Sequence, residues 1–184
     1  MQKRVFITHG YTANSQKHWF QWLKVRLEKE KFLVTVLDMP NSNHPNVQEW
    51  LDYHASQIGE LYPTDIFIGH SLGCIATLRF LAARQQKIAA AILVSGFNQP
   101  LPNLPELDGF SKQPLDYNAL IAQISQRTVI SSLDDDVVNH AFTEQLATDL
   151  QAKYIATNGY RHFTERQGVT ELPLLLDEIL ALAS

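Results

Sequence analysis

The sequence predicts an α/β protein, a mostly parallel sheet of about six strands with helices on both faces. Three observations carry this. Short β-rich runs alternate with longer helical patterns along the whole chain, the order that builds a parallel sheet through crossover connections. Several runs, such as Ile66-Phe67-Ile68 and Ala91-Ile92-Leu93-Val94, are continuously apolar, as strands covered on both faces are; a strand with one wet face would alternate. The longer segments repeat apolar residues at helical spacing.

The strands are expected at Arg4–Thr8, Leu33–Asp38, Thr64–Gly69, Ala89–Ser95, Arg127–Leu133 and Lys153–Thr157. Between the first two, Trp19, Leu23 and Leu27 recur every four residues, with Lys24, Arg26 and Glu28 on the other side. Val47, Trp50, Leu51, His54 and Ile58 mark a second helix, with Asn46 as its cap and Pro63 beyond its end. A third runs from Leu72 to Gln85, with Ile75, Leu78 and Leu81 on one face, and the last two are expected over Ala141–Gln151 and Glu171–Ala183. Gly96–Asp116, with Pro100, Pro102, Pro105 and Pro114, is the one irregular stretch. It follows a strand at its carboxyl end, so it reads either as a functional rim or short lid, or as a packed surface loop with one helical turn.

A chain of 184 residues suits one domain, 1–184, and can bury a core without disulfides or metal. The net charge of −4 and the lack of any Lys/Arg cluster argue against nucleic acid as the partner. With one cysteine, Cys74, no internal disulfide can form; no secretory signal or membrane-length apolar run is present, so the cytoplasm is the expected location and no membrane association is expected. No H-E-x-x-H, C-x-x-C, G-x-x-x-x-G-K or G-x-G-x-x-G pattern occurs. No metal and no cofactor are therefore expected, and a nucleotide- or flavin-binding doubly wound protein is disfavoured.

In parallel sheets of this kind ligands bind at the carboxyl ends of the strands, so chemistry is sought in the strand-to-helix turns. Gly69-His70-Ser71-Leu72-Gly73 matches G-x-S-x-G, follows an apolar strand and opens an apolar helix. That is the setting in which a serine on a strained turn projects its hydroxyl above the sheet, flanked by glycines that let neighbouring backbone pass. Ser71 is the candidate nucleophile. The Leu72 N–H lies at a helix N-terminus, where unpaired donors and the dipole favour an anion.

A hydroxyl needs a base within hydrogen-bond reach, and histidine suits neutral pH. Of the seven histidines, His18 and His54 fall in helical patterns, His44 lies in a polar loop, and the side chain of His70 should point away from the serine at the elbow. His162 follows the last strand, in Asn158-Gly159-Tyr160-Arg161-His162-Phe163, after the serine in chain order; it is the candidate base. The acid should follow a strand between the two. Thr128–Ser131 runs into Asp134-Asp135-Asp136, and the residues alone do not choose among the three. The loop after the first strand, His9-Gly10-Tyr11-Thr12, should supply the second oxyanion donor, Tyr11 N–H beside Leu72 N–H, with Gly10 allowing the backbone to approach the substrate.

With these residues in place the chain resembles the small α/β hydrolases of the YdeN type, the family that includes the retinoblastoma-binding serine hydrolase. The likeness rests on His9-Gly10-Tyr11, His18-Trp19-Phe20-x-Trp22-Leu23, Asp38-Met39-Pro40-Asn41 and Glu49-Trp50-Leu51. It continues through Gly69-His70-Ser71-Leu72-Gly73-Cys74, Leu93-Val94-Ser95-Gly96-Phe97, Ser132-x-Asp134-Asp135 and His162-Phe163. The resemblance implies an α/β-hydrolase fold without a large lid domain. It also implies that Asp135, the second aspartate of Ser-x-Asp-Asp, is the acid, with Asp134 and then Asp136 behind it. Two positions depart from the family: Asn139 stands where proline is usual, and Arg161 where glycine usually precedes the histidine. Arg161 could restrict the backbone, contact an acidic group of the substrate or point into solvent.

The expected activity is that of a serine hydrolase, a carboxylesterase acting on small esters by acyl transfer through Ser71, His162 and Asp135. Substrate contact is expected from His9, Gly10, His70 and Trp19. The tryptophans otherwise read as core, and Cys74 as a buried structural thiol. The expected partner is a small ester-type molecule. A protein partner stays open, because one member of the resembled family is named for such a partner. The rival reading is a protein-binding module of the same fold with little or no hydrolysis.

Overall fold

The computed structural model describes residues 2–183. Six parallel strands, β1 (Arg4–Thr8), β2 (Leu33–Leu37), β3 (Ile66–His70), β4 (Ile88–Val94), β5 (Ile124–Ser132) and β6 (Lys153–Thr157), form one sheet in the order β2-β1-β3-β4-β5-β6. Among the described residues seven α-helices connect and extend them: α1 (Phe20–Lys29), α2 (Val47–Ile58), α3 (Leu72–Arg84), α4 (Asp108–Ser111), α5 (Tyr117–Gln123), α6 (His140–Asp149) and α7 (Pro173–Ala183). This is the α/β-hydrolase fold, with no added lid domain among the described residues.

Period-two alternation along the buried strands feeds two cores. Val5, Ile7, Ile66, Ile68, Ile92 and Val94 point to the face covered by α1 and α7, meeting Phe20, Leu23, Leu27, Leu175 and Ile179. Phe6, Phe67, Ala91, Leu93 and Val129 point to the opposite face, against α2, α3 and α6. Continuous apolar runs follow directly from this, since both sides of a strand are dry. The same geometry explains why α3 lacks one clean stripe: Leu72, Cys74, Ile75, Ala76, Leu78, Phe80 and Leu81 are all buried.

Element ends differ from the expected ones by a residue or two, except at β5, which starts three residues early at Ile124. Ser125 and Gln126 hide that start in the sequence. Helix α5 was not expected. It has seven residues, too few to display a period, and is opened by Asp116, whose side chain accepts the Ala119 N–H at 3.0 Å. Asn46 caps α2 as expected, accepting from Gln48 N at 2.9 Å and Glu49 N at 3.2 Å. The 96–116 stretch is a packed rim: Leu101, Leu107 and Phe110 are buried, and Arg79 of α3 donates to the carbonyls of Phe110 and Gln113.

One buried polar chain crosses the α2 side. Thr77 Oγ1 donates to Thr8 Oγ1 at 3.1 Å, Thr8 Oγ1 meets His54 Nε2 at 3.0 Å, and His54 Nδ1 meets the Trp50 carbonyl at 2.8 Å. A carbonyl can only accept, so the His54 proton sits on Nδ1 and Nε2 accepts from Thr8. The side-chain polar atoms of Thr77, Thr8 and His54 are all partnered while the ring stays neutral. Among the described residues, no helix is long and apolar enough to cross a membrane.

Candidate active site

Ser71 is the single residue between the last residue of β3 and the first of α3, with φ 54° and ψ −122°. A side-chain-bearing residue is strained there and persists only where its surroundings hold it. Ser71 N–H donates to the Val94 carbonyl at 2.9 Å, and the turn is packed so closely that two neighbours must be glycine. A Cβ on Gly69 would lie 2.6 Å from Cys74 Cα, and one on Gly73 would lie 2.2 Å from the Thr8 carbonyl oxygen.

His162, in the loop after β6, brings its Nε2 to 3.0 Å from Ser71 Oγ. Its Nδ1 faces both Asp135 oxygens, at 2.9 and 3.1 Å. A carboxylate accepts, so the proton belongs on Nδ1, which leaves Nε2 free to accept from the serine hydroxyl. The Asp135 side chain is almost wholly buried, yet its oxygens are supplied with donors: Val137 N–H at 2.9 Å and Val138 N–H at 3.0 Å to Oδ1, and Ser95 Oγ–H at 2.8 Å to Oδ2. Such donors fix the orientation of the carboxylate.

The three adjacent aspartates have separate surroundings. Asp134 accepts from Ser132 Oγ, Gly159 N and Arg161 N, and these bonds, that from Ser132 first, hold its carboxyl below the ordinary range. Asp136 pairs with Arg161 at 2.5 Å and accepts from Gln167 Nε2 at 2.8 Å. Asp135 reaches His162, and the other two shape the loop around it. Arg161 has φ +47°, a conformation glycine adopts freely, which accounts for the glycine expected there. Its side chain is neither loose in solvent nor unpaired. Asn139, at the expected proline, caps α6 by accepting Ala141 N–H at 3.0 Å.

The loop after β1 lies against the elbow. A Cβ on Gly10 would meet Ser71 Cβ at 2.9 Å and the His70 carbonyl at 3.1 Å. Thr12 N–H is tied to Ser42 O and Ala13 N–H to Gly10 O, while Tyr11 N–H has no such bond among the described residues. Leu72 is the first residue of α3, so its N–H has no acceptor within the helix. A cleft of about 480 Å³ opens here, lined by Gly10, Tyr11, His18, His70, Ser71, Leu104, Val137, Arg161 and His162 among others. A larger groove, about 670 Å³, lies between α2, α3 and the 106–116 rim and includes none of Ser71, Asp135 and His162.

Two expected substrate contacts are corrected. His9 is fully buried: its Nδ1 donates to the Gly10 carbonyl at 2.8 Å, its Nε2 accepts Met39 N–H at 2.9 Å, and burial lowers its pKa. It braces the oxyanion loop from behind. Trp19 is also fully buried, at the N-cap position of α1 with its ring against Phe20 and His70. Neither side chain lines the cleft, because each fills the core that supports it. His70 does line it, as the back wall, with Nε2–H donating to the His162 carbonyl at 2.9 Å; complete burial drives its pKa down. His18, read from the sequence as helical, instead precedes α1 with φ +57° and faces the cleft. Cys74 is buried, its thiol pKa raised by burial.

Sequence reasoning missed Ser95 and Gln167. Ser95 directly follows β4 with φ +49° and donates to Asp135; Gln167 accepts the His162 N–H at 2.9 Å and stands in a capping box with Thr164. Ser95 lay within the Leu93–Phe97 motif at a strand's carboxyl end, a signal that could have found it. Gln167 carried none beyond Thr-x-x-Gln.

Comparison with known proteins finds relatives over nearly the whole chain. A family model described as serine hydrolase matches residues 5–180. YdeN of Bacillus subtilis is 39% identical over 179 residues, covering 96% of this chain and 94% of that protein. Serine hydrolase RBBP9 of Rattus norvegicus is 26% identical over 158 residues, covering 85% and 79%. The crystal structure of the ydeN gene product of B. subtilis superposes with a TM-score of 0.95 at 37% identity, covering 98% of each chain. Est1E of Butyrivibrio proteoclasticus, at 14% identity and a TM-score of 0.72 over 99% and 88%, shares the fold. The chain therefore belongs to the serine hydrolase family.

Proposed function

We propose that this protein is a carboxylesterase that cleaves small esters by acyl transfer through Ser71, His162 and Asp135. The observation that carries the reading is the unbroken line from the strained Ser71 hydroxyl through His162 to a buried, fully bonded Asp135. His162 Nε2 takes the hydroxyl proton as Oγ bonds to the carbonyl carbon. Asp135 holds the imidazole tautomer and stabilises the imidazolium. The oxyanion is received by the N–H groups of Tyr11 and Leu72, each such donor being worth about 100- to 1,000-fold in rate. The imidazolium returns its proton to the leaving alkoxide, and a water activated by His162 then releases the acid from the acyl-enzyme. Short arms fit a cleft of about 480 Å³ whose apolar lining comes from Tyr11, Ala13, Leu104 and Val137.

The test is labelling with a fluorophosphonate, in which Ser71 Oγ displaces fluoride at phosphorus, together with hydrolysis of 4-nitrophenyl esters from acetate to octanoate. Labelling at Ser71, absent in Ser71→Ala, with kcat/KM highest for the short acyl chains, is expected. A folded protein that neither labels nor hydrolyses would instead be a binding module of this fold.

A further inference from the structure

Three imidazoles stand in a row beside the nucleophile: the His70 ring lies 5.1 Å from that of His162 and 5.4 Å from that of His18. His162 is engaged through both nitrogens, whereas His18 is engaged through one. Glu165 clasps it from the histidine loop. The Glu165 backbone N–H donates to His18 Nδ1 at 3.2 Å, and Glu165 Oε2 accepts the His18 backbone N–H at 3.1 Å. The other Glu165 oxygen accepts from Lys17 Nζ at 2.7 Å. A backbone N–H can only donate, so His18 Nδ1 carries no proton and Nε2 does. Burial pushes the pKa down to about 4 despite the neighbouring Glu165 carboxylate, so the ring is neutral at physiological pH. Nε2 meets no acceptor among the described residues and is not among the enclosed unpartnered polar atoms. His18 lines the Ser71 cleft, and Nε2–H is its uncommitted ring donor.

We propose that His18 is a substrate-binding residue whose Nε2–H selects esters carrying an uncharged acceptor oxygen, an ether, hydroxyl or carbonyl, in the arm next to the scissile bond. The proposal rests on the hydrolase reading above and adds its substrate class. A neutral donor brings no positive charge, so it recognises an oxygen by geometry. A substrate with a methylene in that place leaves the N–H dry and unpaired, and this penalty is the source of the discrimination.

Isosteric ester pairs test it: 4-nitrophenyl methoxyacetate against 4-nitrophenyl butyrate for the acyl arm, and 2-methoxyethyl against butyl acetate for the alcohol arm, each ratio divided by that for hydroxide. Wild-type protein should favour the ether in one arm by about tenfold in kcat/KM. His18→Asn tolerates the positive φ and keeps an acceptor for Glu165 N–H but no longer reaches the cleft, so it should abolish the preference. His18→Gln, which restores a donor at that reach, should recover part of it. Nitrogen-15 NMR of the imidazoles reads the tautomer without reference to activity and should find the proton on Nε2. A proton on Nδ1, or the same ratios in His18→Asn as in wild type, overturns the proposal. Fluorophosphonate labelling of the same samples separates the two failures. Labelled Ser71 with unchanged ratios removes the role of His18 alone; unlabelled wild-type protein removes the hydrolase reading and this one with it.

Discussion

Gly10→Ala tests whether the loop after β1 supplies an oxyanion donor. The new methyl would stand 2.9 Å from Ser71 Cβ and 3.1 Å from the His70 carbonyl, where ordinary contact begins at 3.4 Å. The two sides must separate by about 0.5 Å to reach that limit. The elbow cannot give way easily: Ser71 N–H is bonded to β4, and Gly73 is pressed against Thr8. The loop is the softer side, held by hydrogen bonds from Thr12 N–H to Ser42 O, from Ser42 Oγ to the Ala13 carbonyl and from His9 Nδ1 to the Gly10 carbonyl rather than by packed backbone, so the Tyr11 N–H retreats. A misplacement of about 1 Å costs about 100-fold in rate, and loss of one oxyanion donor about 100- to 1,000-fold. A half-ångström retreat should therefore lower kcat by about 10- to 100-fold, with KM little changed because the donor acts on charge that develops in the transition state. Overpacking should cost about 1–3 kcal/mol of stability. The assay is steady-state hydrolysis of 4-nitrophenyl butyrate with thermal unfolding on the same sample. A folded variant whose kcat stays within twofold of wild type would refute this placement of the oxyanion donor.

Three further outcomes are expected. Ser95→Ala removes the hydroxyl donor to Asp135 Oδ2 and should lower kcat/KM by about 5- to 30-fold and stability by about 1–2 kcal/mol; unchanged activity would mean that the two backbone donors alone orient the carboxylate. Arg161→Gly exchanges a half-exposed ion pair with Asp136 for a residue suited to φ +47°. Both effects are under about 1 kcal/mol and opposed, so chemical denaturation should find stability within about 1 kcal/mol of wild type, and a loss above about 2 kcal/mol would show that the pair braces the histidine loop. His54 is neutral in the fold because burial lowers its pKa from 6.5 to about 4. The unfolded chain binds this proton as pH falls through 6.5 and the folded chain only near 4, so its contribution is complete above pH 6.5 and is lost as pH falls, about 3 kcal/mol by pH 4. His54→Phe, which keeps a ring against Phe80, should reduce the slope of denaturation free energy against pH between 7 and 4, leaving the part due to His9, His18 and His70. Equal slopes in the two proteins would refute the assignment.

The sequence by itself determined what depends on local pattern and chain order. Apolar runs and helical periods placed six strands and the longer helices, because burial on both faces of a sheet leaves no polar alternation to confuse the reading. The motif Gly69–Gly73 placed Ser71 on its turn, since only such spacing lets the backbone pass. Order along the chain singled out His162, and resemblance chose Asp135 among three neighbours that residue chemistry alone could not separate. Only the tertiary structure decided which polar groups meet across long separations. Ser95 and Asp135 are forty residues apart, and His18 and Glu165 are 147 apart; no local period encodes such pairs. It also decided that His9 and Trp19 lie in the core behind the loop while His18 faces the cleft, because a residue's side depends on the turn before α1, where a positive φ at His18 breaks the helical pattern that its neighbours suggest.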